Sequence, residues 1–275
     1  MPRTPQRTRK NAESRSDRPH VRGGPVWLTG FHPVREALRA RRRRLDRLWI
    51  RRGRQGAEVD ELATLARAAG LPVERVEDSE IEQQAAVDGN PQGVALRAGA
   101  LPELSLEALL EHARRAPGSG SRLVALDGVE DPQNLGAVAR VAESAGAHGL
   151  ILTKRRAPEL TAAVSRASAG AIEWLRVARV PNLGRALATL QAEDYWLVAA
   201  APEAGDSLFR IDDRILTGNL AVVLGAEGRG IRRSILEQAD HLVEIPMRGK
   251  IASLNVSTAG AVILYDLLRR AESTD

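Results

Sequence analysis

Apolar residues recur with two different periods along the chain, and the period predicts where strands and helices lie. In residues 26–98, short apolar runs alternate with segments in which apolar residues recur every three or four positions. The short runs predict strands at 45–50, 71–76 and 92–96. The helical pattern predicts one helix around Val34, Ala37 and Leu38 and another at 58–69. This part of the chain is therefore predicted to be a small α/β domain.

A second series of alternating elements begins at residue 122 and predicts a larger α/β domain over 122–275. Its strands are expected at 122–126, 150–153, 173–178, 196–200, 220–224 and 242–245. Strands that alternate with helices are typical of a parallel sheet, whose ligands bind beyond the carboxyl ends of the strands. Residues 99–121 are rich in Ala, Pro, Gly and Ser around one short helical piece, and we predict that they link the two domains.

The stretch IPMRGKIASLNVSTAGAVILY at 245–265 changes character three times. It begins as the end of a strand, crosses a loop after a proline, and becomes an apolar helix near Asn255. Ser253 and Asn255 are both favoured helix N-cap residues, so the unpaired amides and positive dipole end of this helix are expected to face the loop. The stretch predicts a binding loop, although an ordinary cap before a core helix has the same pattern.

Two further stretches have the same combination of a buried strand and a polar loop. In VVLGAEGRGI at 222–231, an apolar run is followed by three glycines and a single carboxylate, Glu227. The glycine spacing does not match the dinucleotide-binding fingerprint, which argues against a dehydrogenase. In LDGVEDPQNLGAVARVAESAG at 126–146, Asn134 precedes a helix of small residues that carries Arg140. By themselves, these two residues could be a cap and a surface arginine.

Composition excludes several kinds of chemistry. The chain has 275 residues, 43% of them apolar, which is enough for two domains with cores. Its sequence contains no cysteine, which excludes thiolate adducts, iron–sulfur clusters and thiolate zinc sites, and its five histidines lack metal-ligand spacing, so we expect no metal. No apolar run is long enough for a membrane span or a signal peptide, so we expect a cytoplasmic protein.

Basic residues are concentrated in two regions of a chain with a net charge of +5 and a pI near 10.3. Residues 1–25 carry seven arginines and lysines without apolar periodicity, which predicts a disordered basic arm. Residues 39–54 contain nine arginines and one acid, Asp46. A charge run is often only a solvated face, but this density favours binding to an RNA backbone. The residues predicted to make these contacts are Arg41, Arg42, Arg43, Arg44, Arg51, Arg52 and Arg54.

The order and spacing of the three polar stretches resemble the three motifs of the SpoU family of RNA ribose 2'-O-methyltransferases, over about the last 150 residues. The resemblance implies a SPOUT fold, in which a parallel α/β sheet has a C-terminal trefoil knot that binds S-adenosylmethionine, in a homodimer. It also implies that residues 26–98 form an RNA-binding domain similar to ribosomal L30e and L7Ae. The family usually has a histidine before the Gln-Gly of this domain, where this chain has Pro91.

The resemblance also assigns roles to residues. It implies that Leu224, Gly225, Ile245, Met247 and Leu254 bind the cofactor, and that Asn134, Arg140, Glu227, Ser253 and Asn255 are catalytic. Gly225 is expected to let the backbone approach the ligand closely. A guanidinium group stays protonated, so we expect Arg140 to act as a fixed positive charge and not as a base. The helix after Asn255 carries an apolar stripe that is expected to pair two copies of the chain, comprising Val256, Ala259, Val262, Ile263 and Leu267.

The function that the resemblance implies is 2'-O-methylation of a guanosine in the peptidyl transferase centre of 23S rRNA. Alternatives within the family are a tRNA ribose methyltransferase and an enzyme that methylates a 23S rRNA adenosine and confers antibiotic resistance. Enzymes of the tRNA group generally lack the preceding L30e-like domain, which argues against the first. An RNA-binding ribosome-assembly factor without catalysis is the non-enzyme alternative, and the presence of all five catalytic residues argues against it.

Overall fold

The computed structural model describes residues 24–84, 91–116, 120–202, 205–212, 218–251 and 253–272. The predicted basic arm therefore lies almost entirely outside the described residues. Within them, every helix is too short or too polar to cross a membrane.

The first domain is a four-stranded sheet with helices packed against it. Its elements are β1 (Val26–Thr29), α1 (Phe31–Ala40), β2 (Leu45–Arg51), α2 (Ala57–Ala68), β3 (Val73–Val76), α3 (Asp78–Gln84) and β4 (Val94–Ala98). The strand order is β1-β4-β2-β3, with β4 antiparallel to both of its neighbours and β2 parallel to β3. Leu38, Leu48 and Leu62 are fully buried between the sheet and the first two helices. The three strands and two helices predicted here are confirmed, whereas β1 and α3 were not predicted.

The segment between the domains is part of a core. Its helix α4 (Leu106–Arg114) begins at Ser105, whose side chain accepts a hydrogen bond of 3.1 Å from the Ala108 amide. Leu109 and Leu110 of this helix are buried against the second sheet. The helical piece expected within residues 99–121 is therefore confirmed, but this part of the segment packs into the second domain instead of standing free between the two.

The second domain is built on a seven-stranded sheet. Its elements are β5 (Arg122–Asp127), α5 (Pro132–Ser144), β6 (Gly149–Thr153), α6 (Ala162–Ala167), β7 (Arg176–Val180), α7 (Leu183–Ala192), β8 (Tyr195–Ala200), β9 (Asp206–Ser207), β10 (Asn219–Gly225), α8 (Arg233–Leu236), β11 (His241–Glu244) and α9 (Val256–Glu272). The order is β7-β6-β5-β10-β8-β11-β9, and all the described pairs are parallel, as predicted. The strand predicted at 173–178 begins later, because Ala171–Glu173 form a 3-10 helix.

Alternating residues of the central strands enter two separate cores on opposite faces of this sheet. On β5, Leu126 packs into the core that includes α5 and α9, whereas Ala125 packs into the core that includes α4 and α7. Since β10 lies between β5 and β8, the chain returns through the middle of the sheet before α9 packs on α5. This arrangement brings the start of α9 to the region where α5 begins.

A buried ion pair joins the two domains. The Arg43 side chain is 0% exposed, and its Nε and Nη2 donate to the two carboxylate oxygens of Glu173, which is 1% exposed, over 2.8 and 2.9 Å. Ser165 Oγ donates to the same carboxylate over 2.9 Å. Arg42 beside it donates to the carbonyl oxygens of Glu173 and Leu175. These contacts attach the end of α1 to the 3-10 helix of the second domain.

Burial of the Arg43 side chain contradicts the prediction that Arg43 binds RNA, whereas the same prediction for Arg42 stays a prediction. The Arg43 guanidinium is buried and bonded to the Glu173 carboxylate, so it is not available to a phosphate. Arg42 is half-buried, and its hydrogen bonds within the described residues come from Nη1. Burial and the nearby charge of Arg176 lower the pKa of Arg42 to about 10, which still leaves it protonated at neutral pH. The arginine run contains both side chains that bind protein oxygens and side chains that are exposed, and a count of charges could not separate them.

We predict that Arg43→Ala lowers the free energy of unfolding by about 3–5 kcal/mol, because it leaves the Glu173 carboxylate buried without its partner. Arg44→Ala is the matched control, since the Arg44 side chain is 88% exposed and lies 3.5 Å from Asp46. Its effect should stay below about 1 kcal/mol. Urea unfolding of both variants measures the difference, and equal losses would contradict the assignment of Arg43 as an interdomain residue.

Candidate active site

The three polar stretches meet at the side chain of Asn255. Its Nδ2 donates to Asn134 Oδ1 over 2.9 Å and also to Glu227 Oε1. Its Oδ1 accepts from the backbone amide and the hydroxyl of Ser257, over 2.8 and 2.6 Å. Asn255 therefore caps α9, as predicted, and at the same time connects α9 to α5 and to the loop after β10.

Local sequence explains how Asn134 reaches this position. Asp131 caps α5 by accepting from the Gln133 amide over 2.9 Å, and Pro132 occupies the first helical position, where the missing N–H costs nothing. Asn134 thus lies within the first turn of α5, whereas the sequence suggested that it would precede the helix. It lies at the amino-terminal end of α5, beyond the carboxyl end of β5.

Glu227 is carried by a tight loop whose glycines have definite tasks. Gly228 and Gly230 have φ angles of 76° and 64°, which few other residues adopt without strain. A Cβ on Gly225 would lie 2.3 Å from the Gly230 carbonyl carbon. The close approach at Gly225 is therefore to the same loop folding back. We predicted Gly225 as a place where the backbone approaches a ligand, and the structure gives this glycine a different reason.

Asp127 and Arg232 were missed from the sequence, and they fix the base of this loop. Asp127 ends β5 with its side chain 4% exposed, and it accepts from the backbone amide and the Nε of Arg232, both over 2.9 Å. The backbone oxygen of Asp127 also accepts from the Ala226 amide. An acid at the end of an apolar strand was the feature of the sequence that could have identified this contact.

Arg140 lies on an exposed part of α5. Six residues make about 1.7 helical turns, so the side chains of Asn134 and Arg140 leave the helix about 120° apart. No hydrogen bond or ion pair to the Arg140 guanidinium comes from the described part of the chain. Its charge is therefore available to a ligand, on a different side of α5 from the Asn255 contact.

The residues expected to hold the cofactor lie around the carboxyl ends of β10 and β11. Leu224 is buried in the core shared with α9, and Ile245 packs against the same core. Met247 is exposed and Leu254 is half-buried. Met247 and Leu254 lie outside the helices and strands, and their backbone groups make no hydrogen bond with other described residues. Apolar side chains next to open amides and carbonyls suit a ligand with an aromatic ring and polar edges.

The remaining predicted residues occupy distinct environments. Ser253 is exposed, and it has no hydrogen bond to the side chain of Asn255 within the described residues. Of the RNA-binding set, Arg41 and Arg44 are exposed in the segment after α1. Arg51 ends β2 and pairs with Asp78, and Arg52 and Arg54 lie in the following loop, where Arg52 pairs with Glu77. Among the described residues, no three histidine, aspartate or glutamate side chains are grouped to hold a metal ion.

Two protein-family models match this chain, one over each domain. The model described as "SpoU rRNA Methylase family" matches residues 121–265, and the model described as "RNA 2'-O ribose methyltransferase substrate binding" matches residues 27–104. The chain is 37% identical to a 23S rRNA (guanosine-2'-O-)-methyltransferase, RlmB, of Pseudomonas putida, over 89% of this chain and 96% of that protein.

Two solved structures are similar over most of both chains. The SpoU methyltransferase AviRb from Streptomyces viridochromogenes, in complex with AdoMet, has a TM-score of 0.74 at 23% identity and covers 91% of each chain. An AdoMet-bound rRNA methyltransferase from Sinorhizobium meliloti has a TM-score of 0.70 at 26% identity, over 89% of this chain and 87% of that one. The first likeness concerns the fold alone.

We predict that Asn255 and Asn134 are energetically coupled, because they share a hydrogen bond. In a double-mutant cycle of Asn255→Ala and Asn134→Ala, the stability effects should depart from additivity by about 0.5 kcal/mol or more. Asn182→Ala is the matched control, because Asn182 caps α7 in the same way, accepting from the Arg185 amide over 3.0 Å. Combined with Asn134→Ala, it should add within about 0.3–0.5 kcal/mol in thermal unfolding. Additivity of both pairs would show that the junction is not formed in solution.

Proposed function

This chain belongs to the SpoU rRNA methylase family, and we propose that it methylates the 2'-hydroxyl of a guanosine in the peptidyl transferase centre of 23S rRNA. It is an RNA 2'-O-ribose methyltransferase that uses S-adenosylmethionine. Similarity over nearly the whole length to an enzyme that acts on a 23S rRNA guanosine supports this substrate. The observation that carries the assignment of the site is the hydrogen-bonded junction of Asn134, Glu227 and Asn255.

S-adenosylmethionine supplies an activated methyl group when it is bound, and its leaving group is a neutral thioether. The residues we propose for its binding are Leu224, Gly225, Ile245, Met247 and Leu254. Leu224 and Ile245 provide an apolar wall, and the open backbone of Met247 and Leu254 can pair with polar edges of the cofactor. The protein's task is then to hold the ribose oxygen in line with the methyl group at near-attack distance.

Catalysis is proposed to rest on Arg140 and on the junction of Asn134, Glu227 and Asn255, which lies on a different side of α5. Arg140 holds a phosphate of the substrate and stabilises negative charge that develops on the ribose oxygen, since a guanidinium keeps its proton. Asn134, Glu227, Ser253 and Asn255 are proposed to orient the ribose, and none of their described contacts reaches Arg140. Glu227 is exposed, and among the described contacts only its Oε1 has a partner, which leaves Oε2 to face a substrate hydroxyl.

The first domain is proposed to bind the RNA, as an L30e-like module. Arg41, Arg44, Arg51, Arg52 and Arg54 would supply contacts to the RNA, whereas Arg42 and Arg43 hold the domain in place. The basic arm would add sequence-independent attraction to the backbone. We propose that the protein acts in the cytoplasm on rRNA or on a ribosomal precursor.

We also propose that the C-terminal segment forms a trefoil knot and that two copies pair. The position of β10 between β5 and β8, with α9 returning to α5, supports the knot, which an experimental chain trace of residues 205–272 would test.

The apolar stripe expected to pair two copies is mostly internal, because Val256, Ile263 and Leu267 are buried within the chain. The proposal that two copies pair is supported instead by the exposed aromatic side chains of Tyr265 and Phe209. Light scattering at micromolar concentration measures whether the protein is a monomer or a dimer.

The function is tested by incubating the purified protein with a 23S rRNA transcript and labelled S-adenosylmethionine in the presence of a chelator. We expect one guanosine to become resistant to alkaline cleavage at its 3' side, because a 2'-O-methyl group cannot attack the phosphodiester. Transfer RNA serves as the control substrate and should stay unlabelled. Methyl label on a base, or labelling of tRNA alone, would refute the proposal.

We predict that Arg140→Ala lowers the methylation rate by about two to three powers of ten, as expected for removal of a group that stabilises developing charge. Affinity for S-adenosylmethionine should stay nearly unchanged, because Arg140 is placed on the RNA side. Arg140→Lys should also be slow, since an ammonium group cannot reproduce the fork of a guanidinium. Single-turnover kinetics and calorimetry separate the two quantities, and loss of cofactor binding in both variants would contradict this placement.

A further inference from the structure

A cavity of about 350 Å³ lies in the first domain, outside the candidate active site. It is bounded by the start of α1, the loop after β2, α3 and the residues just before β4. The lining residues that matter here are Phe31, Arg51, Arg54, Glu58, Asp78 and Gln92. Its size is at the small end of the range of ligand-binding cavities.

Arg54 offers a planar face in this cavity. Its guanidinium carbon lies 5.5 Å from the centre of the Phe31 ring, which is a cation–π contact. The Arg54 backbone is held by the Arg51 carbonyl, 3.1 Å from its amide, and by Arg75 Nη1, which donates to its oxygen over 2.6 Å. The Nε of Arg54 is buried and has no hydrogen-bond partner among the described residues.

The charges around the cavity do not suit a phosphate. Glu58, Asp78 and Glu82 line it, together with Arg51 and Arg54, so carboxylates outnumber guanidinium groups. Arg51 is in addition paired with Asp78 over 3.0 Å. Carboxylate oxygens are acceptors, and they fit the exocyclic amino group of a base, as they do when they read cytosine in nucleic-acid complexes.

The cavity is held in shape by contacts within the protein. Gln92 Oε1 accepts from the Phe31 amide over 2.9 Å and fixes the segment before β4 to the start of α1. A Cβ on Gly93, whose φ is 72°, would lie 3.2 Å from Arg51 Cβ, so only glycine fits there without strain. A ligand would therefore enter a site that needs little rearrangement.

We propose that this cavity binds one unpaired nucleobase of the RNA substrate, which stacks on Arg54 and donates its exocyclic amino group to a lining carboxylate. Single-stranded RNA is recognised by this combination of stacking on aromatic or guanidinium planes and hydrogen bonds to base edges. The inference rests on the proposed function only in taking RNA as the ligand. It assigns Arg54 to base recognition, whereas the sequence predicted a phosphate contact.

The test compares Arg54 with Arg52, which lies in the same loop but outside the cavity and pairs with Glu77 over 2.6 Å. The full-length protein and its variants are titrated with a fluorescent 23S rRNA transcript over a salt series. Arg54→Gln should raise the Kd about tenfold at every salt concentration, since stacking of one base is lost. Arg52→Gln should change the Kd less than about threefold, and any loss should shrink at high salt, as expected for a phosphate contact.

Arg54→Lys keeps the charge and removes the planar face, so it should weaken binding as much as Arg54→Gln. Thermal unfolding of each variant confirms that it is folded. Near-normal affinity of Arg54→Lys, or equal losses for Arg54→Gln and Arg52→Gln, would overturn the proposal, because general electrostatic attraction would then account for the binding.

Base identity gives an independent arm of the test. Single-stranded oligo(A) and oligo(C) should bind the protein several-fold more tightly than oligo(U), because uracil has no exocyclic amino group. Glu58→Gln should reduce this difference, and Asp60→Asn, on the same helix but outside the cavity lining, should leave it unchanged. Equal binding of all three oligomers, or displacement of the oligomers by micromolar AMP, would overturn the assignment to an RNA base. These readouts need no methyl transfer, so they can fail or succeed independently of the proposed activity.

Discussion

The side-chain amide of Asn255 joins three segments that lie far apart in the sequence. Its nitrogen reaches Asn134 of α5 and Glu227 of the loop after β10, and its oxygen caps α9. Such a junction is possible only because β10 is placed beside β5, which puts the two strand ends next to each other. The hydrogen bonds therefore depend on the strand order of the sheet, and the relative positions of Asn134, Glu227 and Asn255 depend on these hydrogen bonds.

The orientation of the first domain, which we propose binds the RNA, depends on a different contact. Burying the pair of Arg43 and Glu173 has a desolvation cost, and such pairs often contribute little net stability compared with apolar residues of the same size. The pair fixes the relative orientation of the two groups, because both donors of Arg43 meet both carboxylate oxygens of Glu173 in only one arrangement. We infer that it holds the first domain at a set angle to the catalytic sheet. Without that angle, an RNA bound by the first domain would not present its ribose reproducibly.

Sequence patterns predicted most strands of both domains, because apolar runs and their spacing are local properties. They also identified Asn134, Glu227 and Asn255, which the structure brings into contact. What they could not predict depends on tertiary neighbours. Gly225 must be glycine because its own loop folds back against it, and the apolar stripe on α9 is covered by α5. Neither fact can be predicted from the spacing of apolar residues. Asp127 was missed for the same reason, since its partner Arg232 lies 105 residues away.

The run of nine arginines shows why charge density alone overstates an RNA-binding surface. Its side chains include a buried donor to a carboxylate, exposed cations paired with acids, and the planar group of Arg54 over Phe31. Only exposed cations that can exchange their protein partner for a phosphate contribute to salt-dependent affinity. Specificity needs the other kind of contact, in which a fixed plane and a fixed acceptor face one base. With the base-binding cavity that we propose, such a domain would first attract an RNA by charge and then retain the one whose unpaired base fits the cavity, so that the affinity from charge and the selectivity from base recognition come from different residues of the same run.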